Sequence, residues 1–137
     1  MLRIESKRRA RALQVLYALD TTGDSDVDLA ATGLARLTGP EPGIFEEAQA
    51  IVDGVLAQRD TLDRYAQDAA ENWRLDRVAT IERNILRIGI HELLLGVLPP
   101  RIVIDEAIWL AHRFAGPRAP AFINGVLDRV ARDLGRL

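Results

Sequence analysis

The centre of the chain, residues 75–95, reads LDRVATIERNILRIGIHELLL. Apolar residues recur in it at every third or fourth position, for example at Ile81, Ile85 and Ile88. This spacing places them on one face of an α-helix, because a helix completes a turn every 3.6 residues or about 100° per residue. The stretch therefore predicts a long helix over residues 75–95 that buries an apolar face.

Helical spacing continues on both sides of this stretch, and clusters of glycine and proline interrupt it. We predict further helices over residues 5–20, 27–37, 44–71 (one helix or a broken pair), 102–114 and 121–134. No run alternates apolar and polar residues as a half-buried strand would. The sequence thus predicts an all-α fold, a compact bundle of six to seven helices arranged as two packed three-helix halves, in a single domain of residues 1–137.

The composition excludes several classes of protein. Of the 137 residues, 48% are hydrophobic and 28% are charged, as in a globular domain. No apolar run approaches the roughly 20 residues that cross a bilayer, and no signal-peptide stretch follows the charges at the N-terminus. Cysteine is absent, which excludes thiol catalysis, disulfides and thiolate zinc sites. We expect a cytoplasmic protein with no membrane partner.

Charge is distributed unevenly along the chain. Residues 1–11 carry five basic groups and one acidic group, whereas residues 12–72 carry three basic and twelve acidic groups. Residues 73–137 carry ten basic and seven acidic groups, so the three segments have net charges of +4, −9 and +3. A basic tip on an acidic body favours a local polyanion site and a second surface for a cationic partner, although a solvated N-terminal arm gives the same pattern.

No set of residues resembles a catalytic centre. His91-Glu92 begins like a zinc-protease motif, but Leu95 stands where that motif needs its second histidine. Asp105 and His112 could share a helix face, yet neither a nucleophile nor a glycine-rich phosphate loop accompanies them. We therefore expect no catalytic residue, no metal site and no cofactor.

Several collinear motifs are shared with a known family. They are Arg9-Ala10-Arg11-Ala12-Leu13-Gln14-Val15-Leu16-Tyr17, Trp73-Arg74-Leu75-Asp76-Arg77, Ile81-Glu82-Arg83-Asn84-Ile85-Leu86-Arg87-Ile88 and Phe122-Ile123-Asn124-Gly125-Val126-Leu127-Asp128. With them the chain resembles the NusB family of bacterial transcription antitermination proteins over about residues 8–131. The last of these motifs is the most specific.

The resemblance implies a non-enzymatic protein that binds the boxA element of nascent ribosomal RNA leaders as a single strand. It also implies a partnership with NusE, the ribosomal protein that doubles as a transcription factor, and with other Nus factors and RNA polymerase. Some relatives form homodimers, so a homodimer of this chain is an expectation that the resemblance leaves open.

The candidate RNA-binding residues of the first helix are Lys7, Arg8, Arg9 and Arg11. Arginine offers a permanent charge and a planar fork of donors that matches phosphate oxygens, and its guanidinium can stack on unpaired bases. Residues three or four positions apart share a helix face, so several of these cations could meet one RNA strand. The alternative is that they solvate the start of the helix and bind nothing.

A second group of candidate RNA-binding residues lies around the start of the last helix. Phe122 could stack on a base and Asn124 could read a base edge. In the preceding loop, where the NusB family commonly has an acidic residue and a serine, Arg118 could add a phosphate contact. We expect this loop to complete the cationic patch of the first helix. Core packing of Phe122 and a structural role of Asn124 are the alternatives, and Gly125 is expected to permit close helix packing.

Two further residues concern the partner surface. Glu82 matches a position that faces NusE in the NusB family, and the alternative is a surface ion pair with Arg83 or Arg87. Trp109 could anchor an interface, but we expect it to be a partly buried ring of the core.

Two other functions are compatible with the sequence. One is a NusB-like domain that acts beside a ribosomal RNA methyltransferase. The lack of a recognisable cofactor-binding region in the sequence argues against this function. The other is a helical adaptor that binds protein alone and whose arginines are merely solvated. Binding to boxA RNA, with and without NusE, separates these functions from antitermination.

Overall fold

The computed structural model describes residues 4–22 and 42–137. Its helices are α1 (Ile4–Thr22), α2 (Pro42–Ala57), α3 (Arg59–Ala69), α4 (Thr80–Leu95), α5 (Pro100–Phe114) and α6 (Ala119–Asp133), with a 3-10 turn at Leu75–Arg77. Both described ranges lack strands, which confirms the all-α prediction, and no helix in them is long and apolar enough to cross a membrane. The helix predicted over 27–37 lies outside the described residues.

The central helix is shorter than the sequence predicts. Residues Leu75–Arg77 form the 3-10 turn, and α4 begins only at Thr80. Gln67 of α3 fixes this turn: its Nε2 donates to the carbonyl of Trp73 (2.7 Å), and its Oε1 accepts from the amide of Leu75 (2.8 Å). The predicted start at residue 75 is therefore wrong, because hydrogen bonds from another helix hold the segment in a turn.

The other helix boundaries follow local rules. The stretch 44–71 is a broken pair of helices, since the backbone of Gln58 leaves helical geometry (φ −136°, ψ 30°) between α2 and α3. Both α5 and α6 start two residues earlier than predicted, because Pro100 and Pro120 occupy their first turns. Proline is tolerated there, since an amide in the first turn has no helical partner to lose.

Helix α4 lies at the centre of the bundle, in contact with each of the other five described helices. Its residues 84–93 are all buried. Helix α1 runs antiparallel to it, because Arg9 contacts Glu92 while Asp20 contacts Asn84. Away from α4, the most extensive packing joins α1 to α2 and α5 to α6, so the bundle has two halves around a shared helix, in agreement with the prediction.

Helix α6 runs parallel to α4. Near its start, Phe122 lines the same groove as Glu82 of the first turn of α4. Just past its end, Arg136 donates to the carbonyl of Leu93 (2.7 Å) near the end of α4. The start of α1 and the start of α6 therefore lie at opposite ends of the central helix.

Arg87 of α4 joins three helices. Its Nε and Nη2 donate to the two carboxylate oxygens of Asp63 in α3 (2.7 and 2.9 Å), and its Nη1 donates to Asp20 in α1 (3.0 Å). Burial disfavours the charged guanidinium, but these hydrogen bonds and the two carboxylate charges outweigh it and raise the pKa of Arg87. The cluster therefore holds α1 and α3 in register on α4.

His91 is buried where α4 meets α2, with 6% of its surface exposed. Gln58 Nε2 lies 2.9 Å from its Nδ1, and a Cβ built on Gly54 would lie 2.4 Å from its Cε1. Burial lowers the pKa of His91, and the charge of the adjacent Glu92 opposes this shift without cancelling it. The fold therefore favours the neutral imidazole.

This pKa shift predicts that stability falls in mild acid. Below the ordinary histidine pKa of 6.5 the unfolded chain takes up a proton that folded His91 resists, so the free energy of unfolding decreases as pH falls through that value. Urea unfolding at about pH 7.5 and about pH 5.5 measures the change. His91→Gln should lose less stability over this interval than the parent protein, and an equal loss in both would contradict the assignment.

Candidate nucleic-acid interface

The start of α1 presents three of its four predicted basic residues near the surface. Lys7, Arg8 and Arg11 are partly exposed, and their spacing places them on one side of the helix. Arg8 forms a long ion pair with Glu47 of α2, with 3.6 Å between its Nη1 and Oε2 of the glutamate. The geometry is suited to offering several cations to one polyanion.

Arg9 differs from its neighbours, because it lies inside the bundle with 2% of its side chain exposed. Its Nε and Nη2 donate to the two carboxylate oxygens of Glu92 (2.6 and 2.7 Å), and its Nη1 lies 3.9 Å from Glu106. Glu106 also accepts a hydrogen bond from Ser6 (2.7 Å). We therefore correct the prediction that Arg9 binds RNA, since a carboxylate already fills its fork and the bundle shields it from phosphate.

A groove lies between the start of α6 and the segment that precedes α4. Two aromatic residues line it: the rings of Trp73 and Phe122 pack edge to face, with centroids 5.4 Å apart and planes at 66°. Phe122 is partly buried against the core, whereas Trp73 is 61% exposed. Phe122 therefore packs on the core, which is the alternative that the sequence left open, and it also lines the groove.

Charged residues surround this aromatic pair. The groove is lined by Arg74, Arg77, Glu82 and Arg118. Arg74 pairs with Asp76 at the surface, with 2.9 Å between Nη2 and Oδ2. Within residues 4–22 and 42–137, the side chains of Arg77 and Arg118 form no hydrogen bond or ion pair. The groove therefore has an excess of positive charge and two cations that can turn to a ligand.

A shallower depression adjoins the groove on the other side of the aromatic pair. Its lining includes Gly125 and Arg129 of α6. A Cβ built on Gly125 would meet nothing within 4 Å, so the expectation that this glycine permits close helix packing is wrong. A hydrogen bond to Asp133 and the charges of Asp133 and Glu71 raise the pKa of Arg129, which stays charged at the rim.

Asn124 does not join the aromatic pair. It is exposed, but it lies two positions after Phe122, about 200° around α6. Asn124 lines neither the groove nor the adjoining depression. The structure thus separates two side chains that the sequence placed together.

Glu82 and Trp109 have distinct surroundings. Glu82 is partly exposed in the groove, and within the described ranges it forms no ion pair with Arg83 or Arg87. Its alternative role as half of a surface ion pair is therefore not observed. Trp109 is partly buried and packs against the core, as predicted.

The two basic regions are separate surfaces. The start of α1 lies level with Glu92, whereas the groove lies level with Glu82, ten residues earlier in α4. At a rise of 1.5 Å per residue this is a separation of about 15 Å along the helix axis. The expectation that the loop before α6 completes the patch of α1 is corrected, because α1 and α6 start at opposite ends of α4. No group of three or more potential metal ligands occurs in the described part of the chain.

Comparison with known proteins identifies the family. The model of the NusB family matches residues 6–132. The chain belongs to the NusB family. The transcription antitermination protein NusB of Sorangium cellulosum is 40% identical over 133 residues, which cover 96% of this chain and 94% of the relative. NusB of Anaeromyxobacter sp. (strain Fw109-5) is 38% identical over 129 residues, which cover 94% and 90%.

Solved NusB structures share the bundle. NusB of T. maritima superposes with a TM-score of 0.79 at 28% identity, over 93% of this chain and 91% of that one. A chain from the crystal structure of antitermination factors NusB and NusE in complex with double-stranded RNA superposes with a TM-score of 0.84 at 27% identity, over 97% and 99%. Membership of the NusB family places the chain among transcription antitermination and RNA-binding proteins rather than enzymes, as predicted.

Three side chains that line the groove, Trp73, Arg74 and Arg77, were not candidate site residues in the sequence analysis of this NusB-family chain. They entered the family motif but were not predicted to bind RNA. The segment Asn72-Trp73-Arg74 offered a signal, because it places a tryptophan beside an arginine in a polar stretch before the buried helix, a combination that suits single-stranded nucleic acid. The pairing of Trp73 with Phe122 could not be foreseen, because it depends on how α6 packs on α4.

Proposed function

We propose that this chain is a bacterial transcription antitermination factor that binds the boxA element of ribosomal RNA leaders together with the ribosomal protein NusE. The observation that carries the proposal is its likeness, over 97% of its length, to a chain from the complex of NusB, NusE and RNA. The physical support is the cationic side of α1 and the aromatic groove, which together offer phosphate and base contacts.

The first contact region is the start of α1. Lys7, Arg8 and Arg11 bind phosphates of the RNA, because they are partly exposed and lie on one side of the helix. Arg9 is left out of this set and supports the helix from inside through Glu92.

The second contact region is the start of α6. Arg118 is exposed and binds phosphate, and Phe122 offers its ring to a base. Asn124 remains a proposed reader of a base edge from the opposite face of α6, which requires the RNA to pass around that helix. A partner protein that covers the face of α6 bearing Asn124 would therefore prevent this residue from contacting the RNA.

Glu82 is the proposed contact of the chain with NusE. Its carboxylate is partly exposed at the edge of the groove and suits a basic ribosomal protein. We further propose one domain over residues 1–137, other Nus factors and RNA polymerase as later partners, and the cytoplasm as the place of action, since transcripts are made there. A homodimer would be a competing assembly of the same chain.

The salt dependence of RNA binding tests the first contact region. The triple variant Lys7→Ala, Arg8→Ala and Arg11→Ala should bind boxA RNA more weakly and lower the slope of log affinity against log salt by about 2, because each lost phosphate contact on a single strand removes roughly 0.7. Fluorescence anisotropy of labelled RNA over a range of salt concentrations measures both quantities.

The matched control removes the same charge elsewhere. Arg64, Arg101 and Arg113 are exposed residues outside both contact regions, and their alanine triple variant should keep the parent's slope. Equal slopes for the α1 triple variant and the parent would remove the start of α1 from the interface. Equal losses in both triple variants would show a general effect of net charge rather than a site.

A further inference from the structure

Trp73 is an exposed aromatic ring on a fixed backbone. Its amide donates to the carbonyl of Ala70 (2.9 Å), and its carbonyl accepts from Gln67 (2.7 Å). Within the described residues its indole N–H makes no hydrogen bond, and 61% of the residue faces solvent. A large apolar surface is thus kept in water although the chain around it is held in place, which is typical of a preformed binding surface.

The charges around Trp73 are suited to an anionic strand. Arg74 and Arg77 follow it directly in the sequence, and Arg118 reaches the same groove from the loop before α6. Glu82 is the acidic residue of this lining, and its carboxylate repels phosphate from the edge of the groove where it lies. A bound strand would therefore place its phosphates on the arginine side and its bases over the aromatic pair.

Gly125 gives independent support. It lies in the middle of α6 with ordinary backbone angles, and a Cβ there would meet nothing within 4 Å. Glycine is a poor helix former, so neither backbone geometry nor packing accounts for it at this position. Its missing side chain leaves the depression beside Trp73 and Phe122 open.

We propose that Trp73 and Phe122 form a stacking site for bases of the bound RNA, with Arg77 and Arg118 holding the adjoining phosphates. Single-stranded RNA fits this surface better than a folded protein does, because every unpaired base has a face that stacks on an aromatic ring while its phosphate meets arginine. The inference rests on the proposed function, since the ligand is the same RNA. It extends the second contact region from the start of α6 to Trp73 and Arg77, about 15 Å from the start of α1 along α4.

Fluorescence of Trp73 tests the inference directly. The chain has two tryptophans, so the full-length Trp109→Phe variant leaves Trp73 as its single reporter. Addition of a single-stranded boxA RNA, with NusE present, should quench this fluorescence with the same midpoint as the mobility shift of the RNA. The variant that lacks both tryptophans supplies the background signal.

Affinity supplies the second readout. Trp73→Ala should weaken RNA binding about 10-fold, because loss of one stacked base costs about 1.4 kcal/mol, while Trp73→Phe should stay within about 3-fold of the parent. Trp109→Phe is the matched control and should leave affinity unchanged. Melting temperatures of all variants separate loss of binding from loss of fold.

The outcomes distinguish this inference from the proposed function. If the RNA shifts but neither Trp73 fluorescence nor the affinity of Trp73→Ala changes, the stacking site is overturned and antitermination stands. If NusE alone produces the fluorescence change and RNA adds nothing, the groove is a protein interface and the stacking site is again overturned. If the parent protein binds no boxA RNA in the mobility shift, both proposals fail.

Discussion

Replacing Arg9 with alanine is expected to lower the free energy of unfolding by about 3–5 kcal/mol. The substitution removes the cation that lies between Glu92 and Glu106, and the two buried carboxylates then lose their shared partner. It also leaves a cavity where a side chain with 2% exposure had packed. Urea unfolding at neutral pH, followed by circular dichroism, measures the loss.

Two further variants make this result specific. Arg101→Ala, at an exposed position of α5, should change stability by no more than about 0.5 kcal/mol. Arg9→Met removes the charge but keeps much of the side-chain volume, so it should be destabilised and yet, once folded, keep the salt slope of RNA binding. A loss under about 1 kcal/mol for Arg9→Ala would contradict the buried ion pair, and a reduced slope for folded Arg9→Met would show that Arg9 contacts RNA phosphate.

Replacing Gly54 with alanine is expected to destabilise the protein by about 1–3 kcal/mol, although alanine is the better helix former. The added Cβ would lie 2.4 and 2.5 Å from Cε1 and Nε2 of His91, closer than atoms can approach. The imidazole cannot move away easily, since it is buried and bonded to Gln58. Thermal and urea unfolding report the change.

Gly125→Ala is the matched control and should have the opposite sign. Nothing lies within 4 Å of its added Cβ, so the helix-forming preference of alanine should stabilise the protein by about 0.5–1 kcal/mol. The two glycines are both in helices and differ in what surrounds them. If both substitutions stabilise the protein, the ring of His91 can move away from the Cβ added at Gly54. If both destabilise it, other groups pack against Gly125 where the structure leaves space.

The sequence predicted the helices whose patterns are local. Apolar spacing in residues 81–93 reflects burial on α4, and glycine and proline clusters mark where the chain turns. The same spacing extended wrongly to residue 75, because Leu75 and Val78 are buried in a turn that Gln67 holds from α3. Periodicity records which residues are buried and not which backbone conformation buries them.

The candidate site was predictable where charge and family motif were enough. Lys7, Arg8 and Arg11 are near the surface, as expected of a cationic contact region. Arg9 has the same chemistry but a different environment, because its partner Glu92 comes 83 residues later in the chain. The separation of Phe122 from the α1 patch likewise follows from the antiparallel and parallel packing of two helices on α4, which no local pattern reveals.

The most direct test of the central claim is a mobility shift of labelled single-stranded boxA RNA with this chain, with NusE and with both. Competition with scrambled single-stranded RNA and with double-stranded RNA defines what is recognised. The account predicts that the chain shifts the boxA strand, that NusE strengthens the shift, and that the scrambled strand competes poorly. Absence of a shift with the folded chain, alone or with NusE, would contradict it.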